Sequence, residues 1–265
     1  MKIGVFDSGL GGLLILRALA RNLPEYDYIY LGDTQRVPYG NRSRETVGAF
    51  LEEAVDFLFK KDCALVIVAC NTASAEALRQ IQRNYLPLHY PKRRVLGVII
   101  PTAEAALRGG GMKKVGVLAT QGTVRSEAYV REIAKIDRRM KVVQQAAPLL
   151  VPFIESGELS LVGPVLRAYL APLMRKKAEA IILGCTHYPV LKAKIKAISG
   201  VPVIAQDEII PGKLRDYLKR HPEIDARLSK KRTRKLFVTD VTPVLKTLSR
   251  RWFGPGYALS KVTLQ

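Results

Sequence analysis

Short, almost uninterrupted apolar runs recur along this chain, each closed by small or polar residues and followed by a stretch of helical periodicity. Ile3-Gly4-Val5-Phe6, Leu65-Val66-Ile67-Val68, Val115-Gly116-Val117-Leu118 and Ile181-Ile182-Leu183 are too short to be core helices. They lack the alternation of a half-solvated strand, so they read as strands of a parallel sheet covered on both faces. Strands are predicted at 2–7, 28–32, 64–69, 95–99, 115–119, 141–144, 180–184 and 236–239. Between them, Val47, Phe50, Leu51, Ala54, Val55, Leu58 and Phe59 recur at three and four, which gives a long amphipathic helix over Ser43–Lys61. Further helices are expected from near Leu13, over Thr72–Tyr85, through Ala103–Leu107 up to the Gly109-Gly110-Gly111 run, and over 123–135, 160–176, 211–220 and 242–252. A loop carries Pro148 and Pro152. Strands alternating with helices of this length specify α/β layers with mostly parallel sheets.

The two halves echo each other. Lys2-Ile3-Gly4-Val5-Phe6-Asp7-Ser8 can be laid on Lys114-Val115-Gly116-Val117-Leu118-Ala119-Thr120, and Val-Ala-Cys70-Asn-Thr on Leu-Gly-Cys185-Thr-His. The pattern predicts two pseudo-symmetric lobes whose equivalent strands end at a shared cleft, the usual ligand position of open α/β sheets. Each cysteine ends a buried strand just before a predicted helix, where N–H groups and the helix dipole favour a thiolate.

Length and composition narrow the function. The 265 residues suffice for one large domain or two small ones. No run approaches the roughly 18 apolar residues of a membrane span, and the start of the chain shows no secretory or transit segment. Three cysteines suit a reducing cytoplasm better than a disulfide scaffold. The formal charge is +20, which admits nucleic acid or another polyanion as an accessory partner. The basic clusters, such as Lys92-Arg93-Arg94 and Arg175-Lys176-Lys177, are scattered and not interleaved with aromatic residues. That pattern favours a solvated basic surface over a stacking platform.

Several chemistries can be weighed on the residues alone. Asp7-Ser8-Gly9-Leu10-Gly11-Gly12 lacks the third glycine of a dinucleotide fingerprint and the Gly-Lys-Ser/Thr of a phosphate loop. It remains a tight turn whose N–H groups can hold a carboxylate, with Asp7 at the strand end. His89, His187 and His221 have no metal-ligand spacing, and no metal is expected. A thiol, the nearby His187 and an acid such as Asp7 or Glu155 would serve a cysteine amidase, but that reading leaves a second matched cysteine idle. Inverting a carbon stereocentre by proton transfer needs a base on one face and an acid on the other, and two like groups can exchange those roles. Cys63 has no polar escort and reads as core.

In these residues the chain resembles the aspartate/glutamate racemase family. The resemblance runs through Asp7–Gly12, Gly32-Asp33-Thr34, Val37-Pro38-Tyr39-Gly40, Ala69-Cys70-Asn71-Thr72, Ala119-Thr120-Gln121-Gly122-Thr123, Val151–Gly157 and Gly184-Cys185-Thr186-His187-Tyr188-Pro189. It implies cofactor-independent interconversion of L- and D-glutamate in the cytoplasm for peptidoglycan synthesis, by a protein that is often a homodimer. Cys70 would deprotonate D-glutamate and Cys185 L-glutamate, with Asp7 and His187 assisting. Ser8, Tyr39, Gly40, Asn71, Thr72, Thr123 and Thr186 would hold the substrate, together with Asp7 and His187. The first domain would comprise 1–96 plus 206–265, and the second 97–205. The chain departs from the family pattern at Ile100-Pro101, commonly Glu-Pro, and at Ile204-Ala205-Gln206, commonly Ile-Asp-Ser. An aspartate-type racemase, a thiol amidase and a nucleic-acid-binding protein remain as alternatives.

Overall fold

In the computed structural model, which describes residues 1–108 and 110–264, ten strands form two separate sheets, and every strand pair is parallel. The strands are β1 Lys2–Asp7, β2 Tyr28–Gly32, β3 Cys63–Val68, β4 Arg94–Gly97, β5 Lys114–Ala119, β6 Lys141–Ala146, β7 Ala180–Gly184, β8 Val203–Ile204, β9 Arg234–Val238 and β10 Leu259–Lys261. The larger sheet runs β10-β9-β2-β1-β3-β4 and the smaller β6-β5-β7-β8. Each therefore contains the same four-strand order, with β5–β8 repeating β1–β4, and the larger adds two strands beyond β2. This is the internal echo of the sequence in three dimensions. Strands β1, β2, β3 and β7 are buried almost throughout, which explains why their sequences are apolar without alternation.

Helices cover both sheets. Arg44–Lys60 begins where Ser43 accepts a hydrogen bond from the Thr46 N–H, a side-chain cap that satisfies one of the first-turn donors. Its apolar stripe, Val47, Leu51, Val55 and Leu58, lies on the larger sheet. The helix Gly12–Asn22 packs against Gln206–Arg220, which in turn packs against Ile99–Leu107. One continuous core joins residues of β1 and β3 to residues of β5 and β7 through these helices.

The differences from expectation lie mostly at prolines. Pro101 and Pro152 do not break structure: each occupies the third position of a helix, Ile99–Leu107 and Leu150–Ser156. A first-turn N–H has no acceptor within the helix, so proline forfeits nothing there. The final long helix of the smaller sheet's sequence starts earlier than predicted, at Gln206, and carries Pro211 inside it. The helix expected over 123–135 is split into Gln121–Arg125 and Ala128–Ile136, because Glu127 takes a left-handed backbone with φ of 52°. The segment after Cys70 is helical over Asn71–Glu76 and, past a break at Ala77, from Leu78 to His89 with a wider π turn at Ile81–Tyr85. Strand β10 was not anticipated; Gly109 of the predicted glycine stop lies outside the described residues. No helix among the described residues is long and apolar enough to cross a membrane.

Candidate active site

The carboxyl ends of β1, β3, β5 and β7 meet where the two sheets face each other, and all the predicted site residues lie there. Cys70 follows β3 and Cys185 follows β7 directly. Both sulfurs are buried, with the residues 4% and 6% exposed. They stand close enough for a charge on Cys185 to act on Cys70. The Cys70 sulfur caps the helix that begins at Asn71: it accepts from the Ala73 N–H at 3.5 Å and donates to the Ser8 hydroxyl at 3.3 Å. Cys185 opens a tighter turn, Tyr188–Leu191, and its sulfur lies 3.9 Å from His187 Nδ1.

The two sheets hold each other crosswise. From the end of β1, Asp7 reaches across to accept the Thr186 hydroxyl at 3.1 Å. From beyond β5, the Thr120 hydroxyl meets that of Thr72 at 2.9 Å and donates to Thr123 at 3.0 Å. Thus Thr186 and Thr72, one and two residues past the cysteines, are each pinned by a residue at the end of the opposite sheet's β1 or β5. Gly11 makes this approach feasible, since a Cβ there would stand 2.5 Å from Thr186 Oγ1 and 2.6 Å from His187 Nδ1. Gly11→Ala is expected to lower turnover roughly tenfold by displacing both side chains, with only a few degrees lost in Tm. Steady-state kinetics beside thermal melts would check this.

Glu155 is the acid that completes the Cys185 side. Its carboxylate lies 3.0 Å from His187 Nε2, and the edge of the His187 ring meets Trp252 at a centroid distance of 5.6 Å. Burial alone would depress the His187 pKa, but Cys185 and Glu155 outweigh it and push it up to about 10. Asp7 is wholly buried, and burial raises its pKa against the opposing pull of His187, the Gly12 and Gly9 N–H groups and Thr186. In the sequence Glu155 reads as an acid of an amidase and lies within the Val151–Gly157 block of the family resemblance, while Trp252 was not foreseen. The link of each to His187 has no local signal, because a helix distant in the chain brings it there.

The expectation that the helix terminus and neighbouring polar donors favour a Cys70 thiolate is corrected. Burial pushes it up to about 12, the Asp7 charge adds to that, and the bonds to Ser8 and the Ala73 N–H do not compensate. Without an incoming cation Cys70 is a neutral thiol. Its alkylation by iodoacetamide should therefore quicken about tenfold per pH unit from pH 7 to 9. Mass spectrometry of the Cys70 peptide would follow this, and levelling off near the ordinary thiol value of about 8.5 would contradict it.

Two predicted binding residues present themselves differently from a free side chain. The Tyr39 hydroxyl donates to Asp33 at 2.5 Å, and Asp33 is also held by Arg36 and Thr239. That leaves the backbone of Tyr39-Gly40 facing the site, where a Cβ on Gly40 would fall 2.9 Å from Thr120. The Asn71 amide is bonded to Gln206 and Tyr129. Among the described residues no group of three or more histidine, cysteine or acidic side chains is placed to hold a metal ion. A separate cavity of about 440 Å³, lined by Leu78, Ile100, Leu214 and Tyr217 with Arg79 and Lys213, contains none of the thiol-site residues.

Comparison with known proteins gives a consistent result. The chain is 38% identical over 261 residues to a glutamate racemase of Aquifex pyrophilus, covering 97% of this chain and 96% of that one. Its fold matches the crystal structure of a glutamate racemase isoform from Bacillus anthracis with a TM-score of 0.90 and 33% identity, over 99% of this chain and 97% of that chain. It matches the Francisella tularensis glutamate racemase, solved in complex with D-glutamate, with a TM-score of 0.89 and 32% identity, over 100% and 98% of the two chains. The profile of the Asp/Glu/Hydantoin racemases spans residues 13–209. With matching sequence, matching fold and two thiols on repeated strand ends, the chain belongs to the Asp/Glu/Hydantoin racemase family.

Proposed function

We propose that this protein is a cofactor-independent glutamate racemase in which Cys70 and Cys185 are the acid/base pair. The observation that carries the reading is the repeated strand order that delivers one buried cysteine from each sheet to a shared, cross-braced site. Glutamate as the substrate rests on relatives named for that activity, which match nearly the full chain.

With D-glutamate bound, the Cys70 thiolate takes the Cα proton, and the Cys185 thiol gives its own proton to the opposite face. L-glutamate runs the sequence in reverse, so atoms and charge balance in both directions. The substrate ammonium brings the cation that Cys70 lacks, which favours its thiolate over the neutral thiol of the free enzyme. Asp7 and His187 support proton transfer on the two sides. Ser8, Thr72, Thr123 and Thr186 supply hydroxyls for the carboxylates, Tyr39 and Gly40 supply backbone N–H groups, and Asn71 supplies its amide. The role the family resemblance implies is provision of D-glutamate for peptidoglycan in the cytoplasm.

The test is incubation in heavy water with L-glutamate, D-glutamate or L-aspartate and no added cofactor. Both glutamates should converge on the racemate with deuterium at Cα, while aspartate stays unchanged. Absence of inversion and exchange with every substrate overturns the reading. The Cys185–His187–Glu155 chain would by itself also suit a thiol hydrolase. Such an enzyme would release ammonia from glutamine in a parallel sample and keep that activity without Cys70.

A further inference from the structure

Asn71 directly follows Cys70, and its amide is gripped by two buried residues from the side of the smaller sheet. Gln206, 1% exposed, opens the helix just beyond β8, and Tyr129 lies in Ala128–Ile136 after β5. Gln206 Nε2 donates to Asn71 Oδ1 at 2.7 Å and to the Tyr129 oxygen at 2.9 Å. Asn71 Nδ2 donates back to Gln206 Oε1 at 2.8 Å, and the Tyr129 hydroxyl donates to Asn71 Oδ1 at 2.9 Å.

A side-chain amide offers two acceptor lone pairs and two donor hydrogens. In this arrangement both lone pairs of Asn71 and one of its N–H bonds are spent, and a single N–H is left. Turning the Asn71 amide over alone would set its N–H groups against those of Gln206 and its oxygen against Gln206 Oε1. That mismatch is costly where water cannot repair it. Gln206 stands at one of the two places where the chain departs from the family pattern, and a serine there would have neither the reach nor the paired donor and acceptor. Only the fold brings it to Asn71.

We infer that Gln206 is a positioning residue: with Tyr129 it fixes the Asn71 amide so that its one remaining N–H serves as a preset donor to a substrate carboxylate beside Cys70. This rests on the functional reading above, in which Asn71 binds the substrate. That carboxylate adjoins Cα and takes on charge as the proton leaves, so the preset donor counts in the transition state as well as in binding.

The experiment is a cycle of Gln206→Met, Asn71→Ala and the double variant, with KM and kcat measured from both enantiomers and normalised to active sites. Gln206→Met should lower kcat/KM roughly tenfold in both directions. Added to Asn71→Ala, it should change kcat/KM less than about twofold, because its effect passes through that residue. Should Gln206→Met fail to fold, Gln206→Ser takes its place in the cycle, since serine lacks both the reach and the paired donor and acceptor. An unchanged kcat/KM, or effects that add in full, overturns the inference while leaving the racemase reading intact. Absence of glutamate turnover in the unmodified enzyme overturns both.

Discussion

Replacing either Cys70 or Cys185 with serine is expected to lower racemisation by about 10³-fold or more in both directions. A serine hydroxyl is not appreciably ionised at neutral pH, and inversion requires both faces to be served in each cycle. The two variants should nevertheless differ. With Cys185→Ser, Cys70 still removes and returns the proton of D-glutamate on one face, so deuterium enters from heavy water without inversion. With Cys70→Ser, the same exchange is expected from L-glutamate. Chiral chromatography beside proton NMR of Cα separates these outcomes, and equal exchange of both enantiomers by either variant would contradict a two-base mechanism. Cys63 is the control. It lies at the opposite end of β3 from Cys70, wholly buried among apolar neighbours, and its pKa is pushed up to about 12 by burial. Cys63→Ser should cost some stability and leave the proton-transfer chemistry in place.

Removal of the His187 imidazole should give the second-largest loss. His187→Asn takes away the partner of Cys185 and leaves the Glu155 carboxylate without its mate, and kcat/KM should fall by about 10²-fold to 10³-fold. The fall must be identical from L- and D-glutamate, because enantiomers have equal free energy and the ratio of the two kcat/KM values is fixed at one. Only the separate kcat and KM values can diverge. Stability supplies an independent reading. The His187 pKa rises from 6.5 to about 10 on folding, so the folded chain binds the proton more tightly than the unfolded one. That contribution is fully present below pH 6.5 and is lost as pH rises through about 10. Tm of the unmodified protein should therefore decline across this interval more steeply than that of His187→Asn.

Much of this architecture was legible in the chain because its strands are buried on both faces. β1, β3, β5 and β7 have no polar alternation, and a run such as Leu65–Val68 has little other structural use. The same burial marks Cys70 and Cys185 in the sequence pattern itself as residues at matching strand ends. What escaped notice depends on tertiary neighbours. Pro101 and Pro152 look like breakers until their first-turn positions are seen, and β10, a short strand after a proline- and glycine-rich turn, pairs only with β9. Trp252 and Tyr129 carry no local mark of function, and at Glu155 and Gln206 the sequence does not show which side chains they meet. The Cys70 pKa was misjudged for a related reason: a sequence shows which helix follows a thiol, but not how completely water is excluded from it.

The repeat within the fold is broken in its charges, and this bears on what happens between catalytic cycles. Beside Cys185 stands a cation-favouring imidazole, and beside Cys70 stands Asp7. A cycle that starts from D-glutamate ends with the proton on Cys70, and one that starts from L-glutamate ends with it on Cys185. The two product-free enzymes are thus proton tautomers of unequal energy, and one must relax to the other before the same enantiomer can react again. At high substrate concentration that return step can govern the traffic, so that a site built from nearly interchangeable halves turns over its two mirror-image substrates at different limiting speeds.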